Sequence, residues 1–193
     1  MARVFLGVGT NIERERYLVA GLDALQALFG ELALSSVYDS AAIGFEGQPF
    51  LNMAVAVDTD LGIGELYKRL RHIEVEHGRP ANATRFSPRQ LDIDILTYDD
   101  AIGLIEGVEL PRGEILENAF VLCPLAELAP DTLHPVAGKC YAELWRAYDH
   151  ASPSLSRIDF EWRGRLISLA RQAGRGGLFA KRTRVSLRGG RCV

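Results

Sequence analysis

RQLDIDILTYDD, residues 89–100, interleaves Leu91, Ile93 and Ile95 with Asp92 and Asp94. Apolar residues at every second position mark a β-strand with one buried face, because successive strand side chains point to opposite sides. Reading this stretch as a strand decides the fold, since it fixes the last member of the series of elements before it. Its other face carries paired carboxylates, and Asp is depleted in strands. The pair therefore asks for a chemical reason.

Upstream, FLNMAVAVDT (50–59) alternates in the same way, with Leu51, Met53, Val55 and Val57 on one side and Phe50, Asn52, Ala54 and Ala56 on the other. Between these two strands, residues 62–77 place Leu66, Leu70 and Ile73 at helical spacing. Further back, RVFLGVG (3–9) reads as a strand ending in a glycine turn, and LALSSVYDS (32–40) as another. Residues 13–29 space Leu18, Leu22, Leu25 and Leu28 as a helix does, and Gly30 offers a C-cap. The order β-α-β-β-α-β predicts an α+β, ferredoxin-like core: an antiparallel sheet with both helices on one face. Residues 100–161 are expected to add short C-terminal elements around it. Gly7, Gly9 and Asn11 suggest a phosphate loop, but the full G-x-G-x-x-G fingerprint is absent.

The 193 residues suit one domain with a sizeable core, and 48% hydrophobic with 24% charged residues is the composition of a soluble globular protein. No apolar run is long enough to span a membrane, and the apolar start MARVFLGVGTN breaks at glycines too early for a signal peptide. Three widely spaced cysteines (Cys123, Cys140, Cys192) point to a reduced cytoplasmic setting rather than a disulfide framework. The net charge of -3 divides unevenly. Residues 1–161 hold 13 Lys+Arg against 25 Asp+Glu, whereas residues 162–193 hold 9 Lys+Arg and no acid. The expected organisation is a folded domain over 1–161 and a basic, Gly-rich, weakly ordered tail over 162–193. Such a tail reads either as a solvated extension or as a nucleic-acid or anion-binding arm. Few aromatics interleave with its charges, which favours the extension.

On a strand, Asp92 and Asp94 point to the same side with Cα atoms roughly 6.5–7 Å apart. Paired hard oxygen ligands on a rigid support suit Mg²⁺, which takes a few carboxylates together with waters and substrate phosphates. Two ions about 3.5–4 Å apart would fit between such a pair and a triphosphate. The alternative is a solvated strand face with ion pairs to nearby arginines. Arg79, Arg85 and Arg89 precede the pair with no intervening acid. Guanidinium groups bind phosphate oxygens bidentately, so this neighbourhood favours phosphoryl or pyrophosphoryl transfer.

These residues resemble the 6-hydroxymethyl-7,8-dihydropterin pyrophosphokinase (HPPK) family of folate biosynthesis, from about residue 3 to about residue 135. FLGVGTN, FLNMAVAVDT, IEVEHGR, RFSPRQLDIDIL and FVLCPLAELAPD look, in that order, like the family's successive signatures. The resemblance implies transfer of pyrophosphate from MgATP to the hydroxymethyl group of the pterin, with release of AMP. It implies two magnesium ions on Asp92 and Asp94, and catalytic roles for Arg79, Arg89 and both aspartates. Glu74, Arg71, Arg85, Phe86, Ile95 and Arg112 would serve the nucleotide. Phe50 and Phe120 would sandwich the pterin, Asn52 would bond its edge, and Ser40, Ala41, Ala42 and Ile43 would line its pocket. The expected partners are these two small molecules. A monomer is expected, with no membrane partner and no nucleic acid.

The physical chemistry of these residue types agrees with those roles. Stacking between two aromatics suits a flat heteroaromatic ring. An amide side chain offers both a donor and an acceptor to an amide-like ring edge. For Phe50 and Phe120 the plainer reading is ordinary core packing. The chain departs from the family at Arg112, where a histidine is usual, at Asn118, where an arginine is usual, at Phe86, where a tryptophan is usual, and in the less proline-rich AAIG. These departures leave room for a paralogue acting on a related pterin. A non-catalytic ligand-binding module, or an RNA-binding sheet, is the alternative from another class; the strand aromatics of an RNA-recognition motif are absent.

Overall fold

The computed structural model describes residues 1–42, 47–78, 90–149 and 155–170. Strand β1 (Ala2–Thr10) leads into helix α1 (Arg14–Phe29), then short strands β2 (Ala33–Leu34) and β3 (Tyr38–Ser40), and long β4 (Phe50–Thr59). Helix α2 (Ile63–Glu76) and strand β5 (Asp92–Tyr98) complete the first half. The β-hairpin β6 (Gly103–Ile105) and β7 (Val108–Leu110) follows, then helices α3 (Glu114–Glu117), α4 (Ala119–Leu128) and α5 (Tyr141–Ala147). Strands β8 (Leu155–Arg157), β9 (Phe160–Trp162) and β10 (Arg165–Ser168) end the described chain.

The main sheet runs β5-β1-β4-β3-β8, with β2 also on β4, and every pairing in it is antiparallel. Alternation along β1 and β4 sorts the side chains as the sequence predicts. Val4, Leu6, Val8, Leu51, Met53, Val55 and Val57 meet Leu18, Leu22 and Leu25 of α1 and Leu66, Leu70 and Ile73 of α2. Gly21 of α1 lies so close to the sheet end that an added Cβ would stand 2.7 Å from Leu91 Cδ1, so a side chain there would force the Leu91 side chain to shift. The opposite face is covered too. Phe5, Ala54, Ala56 and Leu96 pack under Ile115, Leu122, Leu125 and Tyr141 from α3, α4 and α5. The molecule therefore has three layers.

Two expectations change. The single strand predicted over 32–40 is split. Ser35 Oγ accepts the Ala54 N–H at 2.9 Å, and the Val37 N–H goes to Ser168 Oγ at 3.0 Å instead of continuing the ladder to β4. Buried serines thus divert the chain from one neighbour to another. The boundary expected at residue 161 falls inside the β9–β10 hairpin. Phe160 and Trp162 belong to the helix-side core, and Trp162 Nε1 donates to Asp23 of α1 at 3.0 Å. Ordered structure therefore extends through the first residues of the segment assigned to the tail. The remainder of that segment, 171–193, lies outside the described residues.

Candidate active site

Cross-strand register brings the candidate residues together. Gly9 of β1 pairs with Asp92 of β5 on one side and with Asn52 of β4 on the other, and Asn52 pairs in turn with Tyr38 of β3. One step along, Gly7 pairs with Asp94 and with Ala54. With neighbouring strands about 4.8 Å apart, Asp92 and Asn52 stand about 10 Å apart across Gly9. Gly7 and Gly9 are thus a floor without side chains between the carboxylates and the amide, and the sequence suggested for them only an incomplete phosphate loop. An added Cβ on Gly9 would meet Asn52 Oδ1 at 3.2 Å and Phe50 Cδ1 at 3.7 Å. Phe50 and Asn52 therefore both border the floor, as strand period requires.

Asn52 is buried, and its Nδ2 donates to Ser40 Oγ at 2.8 Å. Ala42 is half-buried and Ala41 exposed beyond Ser40, while Ile43 lies outside the described residues. Asn11 Nδ2 donates to the Gln48 carbonyl and Arg14 to the Pro49 carbonyl, at 3.3 and 3.2 Å, tying the start of β4 to the end of β1. Phe120, half-buried, is the second residue of α4, on the helix that covers the same sheet face. Behind the floor lies a network that the sequence did not disclose. Glu127 of α4 accepts from Ser36 N–H and Oγ (3.1 and 2.8 Å), from Tyr38 OH (2.8 Å) and from Arg157 (3.1 Å). It joins α4 to three segments of the sheet edge; nothing in the spacing of these residues signals it.

At the carboxylate end, Asp94 is gripped from two sides. Arg71 Nη2 of α2 stands 3.1 Å from Asp94 Oδ1, and Arg112 Nη2 stands 3.2 Å from Oδ2. Arg71 Nη1 is also 4.0 Å from Asp92 Oδ1. Burial first, and then the neighbouring charge of Asp92, push Asp94 up to about 6, against the opposing pull of Arg112 and Arg71. Two carboxylates held this close on an enclosed strand are a natural seat for a divalent cation. Among the described residues no cluster of three or more His, Cys, Asp and Glu side chains forms a complete cage. A cation here would complete its shell with water and phosphate oxygens, as Mg²⁺ prefers.

Arg112 comes to this place because β7 delivers it. The Glu106–Gly107 turn has positive φ at both residues (49° and 85°), as a tight hairpin demands, and the Arg112 N–H then donates to the Leu96 carbonyl at 2.8 Å. Glu74, expected near the nucleotide, is fully buried. Its Oε1 accepts the Ile93 N–H at 2.7 Å and its Oε2 accepts from Arg71 at 2.6 Å, so it fastens the edge of β5 to α2. Ile95, expected to serve the nucleotide, has its side chain buried in the helix-side core on the opposite face from the aspartates. Its backbone is another matter. Ile93 turns its N–H and carbonyl outward to α2, and the period of two turns those of Ile95 to the same outer edge. Arg79, Arg85, Phe86 and Arg89 lie outside the described residues. Asn118 is the residue immediately before α4.

The chain is similar in sequence and in fold to known proteins. Residues 5–130 match the model of 7,8-dihydro-6-hydroxymethylpterin-pyrophosphokinase (HPPK). The 2-amino-4-hydroxy-6-hydroxymethyldihydropteridine pyrophosphokinase of Aquifex aeolicus is 34% identical over 141 residues, covering 72% of this chain and 88% of its own length. The protein of the same name from Methylorubrum extorquens is 41% identical over 135 residues, covering 68% of this chain and 85% of its own length. Among solved structures, Plasmodium falciparum HPPK-DHPS wild type with SDX-DHP superposes with a TM-score of 0.64 at 14% identity, over 88% of this chain. The chain spans about half of that structure, 49% of its length, and the likeness there is one of fold. On the family match and these relatives together, the chain belongs to the 7,8-dihydro-6-hydroxymethylpterin-pyrophosphokinase family.

Proposed function

We propose that the floor of Gly7 and Gly9 seats a hydroxymethyldihydropterin and a magnesium-bound ATP side by side, and that the chain transfers the terminal pyrophosphate of ATP to the pterin hydroxymethyl oxygen, releasing AMP. The enzyme is a pyrophosphokinase of folate biosynthesis, as its curated relatives are named. The observation that carries the reading is the row Asp92–Gly9–Asn52, in which a paired carboxylate and an amide flank a glycine. Asp92 and Asp94 would hold the magnesium ions, two by the family pattern. Bound there, magnesium would neutralise polyphosphate charge and align it with the attacking oxygen.

The chain's own residues do the rest. Asn52, oriented by Ser40, bonds the pterin edge, and Phe50 and Phe120 bound its faces. Arg71 and Arg112 bring positive charge to the phosphate side. Glu74 and the outer edge of β5 keep Arg71 and the Ile95 backbone in place for the nucleotide. Arg79, Arg85, Phe86 and Arg89 are assigned to closure and phosphate neutralisation on the family pattern alone. The core is read as ferredoxin-like, supported by β5-β1-β4-β3 lying in the order that β-α-β-β-α-β connectivity gives. The working form is a monomer in the cytoplasm, with the two small molecules as its partners. The test is AMP release from ATP with 6-hydroxymethyl-7,8-dihydropterin and Mg²⁺. Release that needs both the pterin and the cation is expected; release of ADP, or none with pterin present, sinks the reading.

A further inference from the structure

Both oxygens of Asp94 are engaged by guanidinium groups, Oδ1 by Arg71 and Oδ2 by Arg112. The two arginines are anchored very differently. Arg71 is fixed. Its Nη1 bonds Glu74 Oε2 at 2.6 Å, its Nη2 also reaches the Ile93 carbonyl at 3.3 Å, and its guanidinium lies 5.1 Å from the centre of the Tyr67 ring. Among the described residues, the Arg112 guanidinium is held besides by Glu114, at 3.3 Å from its Nε, and its side chain is 36% exposed. A bare divalent cation approaching Asp94 meets two positive groups already paired with it. It must break at least the Arg112 ion pair and leave that guanidinium without its anion. A polyphosphate arriving with the cation removes this obstacle, because its oxygens give Arg112 a new anionic partner.

We propose that Arg71 and Arg112 form a clamp on Asp94, with Arg71 the fixed jaw and Arg112 the swinging one, which makes this chain refuse the cation alone and accept it together with a polyphosphate. The inference rests on the pyrophosphokinase reading and adds to it the order in which the site fills. In this chain Arg112 is a positioning residue with two partners, the carboxylate before the nucleotide binds and a phosphate after. By linkage, whatever affinity the clamp takes from the lone cation returns as coupling between cation and nucleotide.

The experiment titrates Mn²⁺ by electron paramagnetic resonance, without pterin, in the absence and presence of α,β-methylene-ATP. Arg112→Ala and Arg112→Gln should each bind Mn²⁺ alone roughly three- to tenfold tighter than wild type, and the Mn²⁺–nucleotide complex weaker by a similar factor. Adding Asp94→Asn to either variant should abolish the gain for Mn²⁺ alone, which assigns it to that carboxylate. Unchanged or weaker binding of Mn²⁺ alone in both Arg112 variants overturns the clamp. So does tight binding of Mn²⁺ alone by the wild type, although the pyrophosphokinase reading then stands. A wild-type chain that takes up no Mn²⁺ even with the nucleotide overturns that reading itself.

Discussion

One face of the sheet is built in two contrasting halves from the same strands. In one half, Phe5 of β1, Ala54 and Ala56 of β4 and Leu96 of β5 lie under α3, α4 and α5, with Ile115, Leu122, Leu125 and Tyr141 closing over them. In the other, β1 contributes Gly7 and Gly9, β4 contributes Phe50 and Asn52, and β5 contributes Asp92 and Asp94. Strand period is identical in both and decides only which way each side chain points. Volume and charge decide the rest. Filling the face with apolar side chains yields close packing, whereas Gly7 and Gly9 bring no side chain of their own and lie beside Leu96 and beside Asn52 and Phe50 respectively. The polar groups at the rim of that floor are then held by partners: α2 and the chain after β7 for Asp94, and Ser40 of the neighbouring strand β3 for Asn52.

The sharpest way to break this comparison is to alter one half and watch the other. Asp92→Asn and Asp94→Asn are expected to lower turnover by about 10²–10³, the scale for removing preorganised charge at a phosphoryl-transfer site, with the fold intact. Steady-state AMP release at limiting Mg²⁺ measures it, and near-wild-type rates in both variants would remove the metal assignment. Leu125→Ala, in the packed half, should do the reverse. Leu125 is fully buried under the sheet, so the cavity left behind should cost about 2–5 kcal/mol of stability. Denaturant unfolding reads that loss, while kcat/KM of the folded fraction should stay near wild type. A collapse of kcat/KM at low temperature would show that the halves are not separable.

The sequence disclosed these halves unequally. The alternation in 50–59 and 91–95 sorted side chains to faces correctly, because period is a local property. The carboxylate pair was legible for the same reason, and the motifs in register with it carried the family. The floor was not legible. Gly7 and Gly9 become a floor only through their partners on β4 and β5, more than 40 residues away along the chain. The grip of Arg71 on Asp94 is equally non-local: Arg71 lies on a helix whose spacing argued only for a packed inner face. Thr97 shows how a strand can escape its period, since the register shift between Phe5 and Leu6 pairs it with Phe5, on the face opposite Ile95. Burial of Glu74 contradicts the usual exposure of carboxylates, and its partners, the Ile93 N–H and Arg71, explain it.

A milder test probes the rim of the open half. Phe50→Ala and Phe120→Ala should weaken pterin binding by on the order of 1–3 kcal/mol while leaving nucleotide binding within a few tenths, since each removes one aromatic wall. Calorimetric titration with each substrate separates the two. Equal losses for pterin and nucleotide would mean that these rings support the packed half rather than bound the floor.

The smallest expected effect comes from the end of the chain, and it sharpens the boundary between what packs and what does not. Ser168 Oγ donates to the Ile158 carbonyl at 2.6 Å and accepts from Val37 N–H at 3.0 Å, and the Ala170 N–H reaches Asp159 at 2.7 Å. Those bonds, with Trp162 against Asp23, secure the hairpin to α1 and to the linker between β2 and β3. Beyond them, residues 174–193 are rich in glycine and carry Arg and Lys with no acid, and the expectation for them is a solvated extension. Ending the chain before Gly174 should therefore shift the melting temperature by no more than about 1–2 °C, the scale of a surface change of a few tenths of a kcal/mol. Ending it after Asp159 should lower the melting temperature by roughly 5–10 °C, because it strips Phe160 and Trp162 from the helix-side core and leaves the Val37 N–H without its partner. Equal melting temperatures for the two truncations would show that the hairpin adds nothing to the core, and a large drop for the shorter deletion would show that the basic segment packs after all.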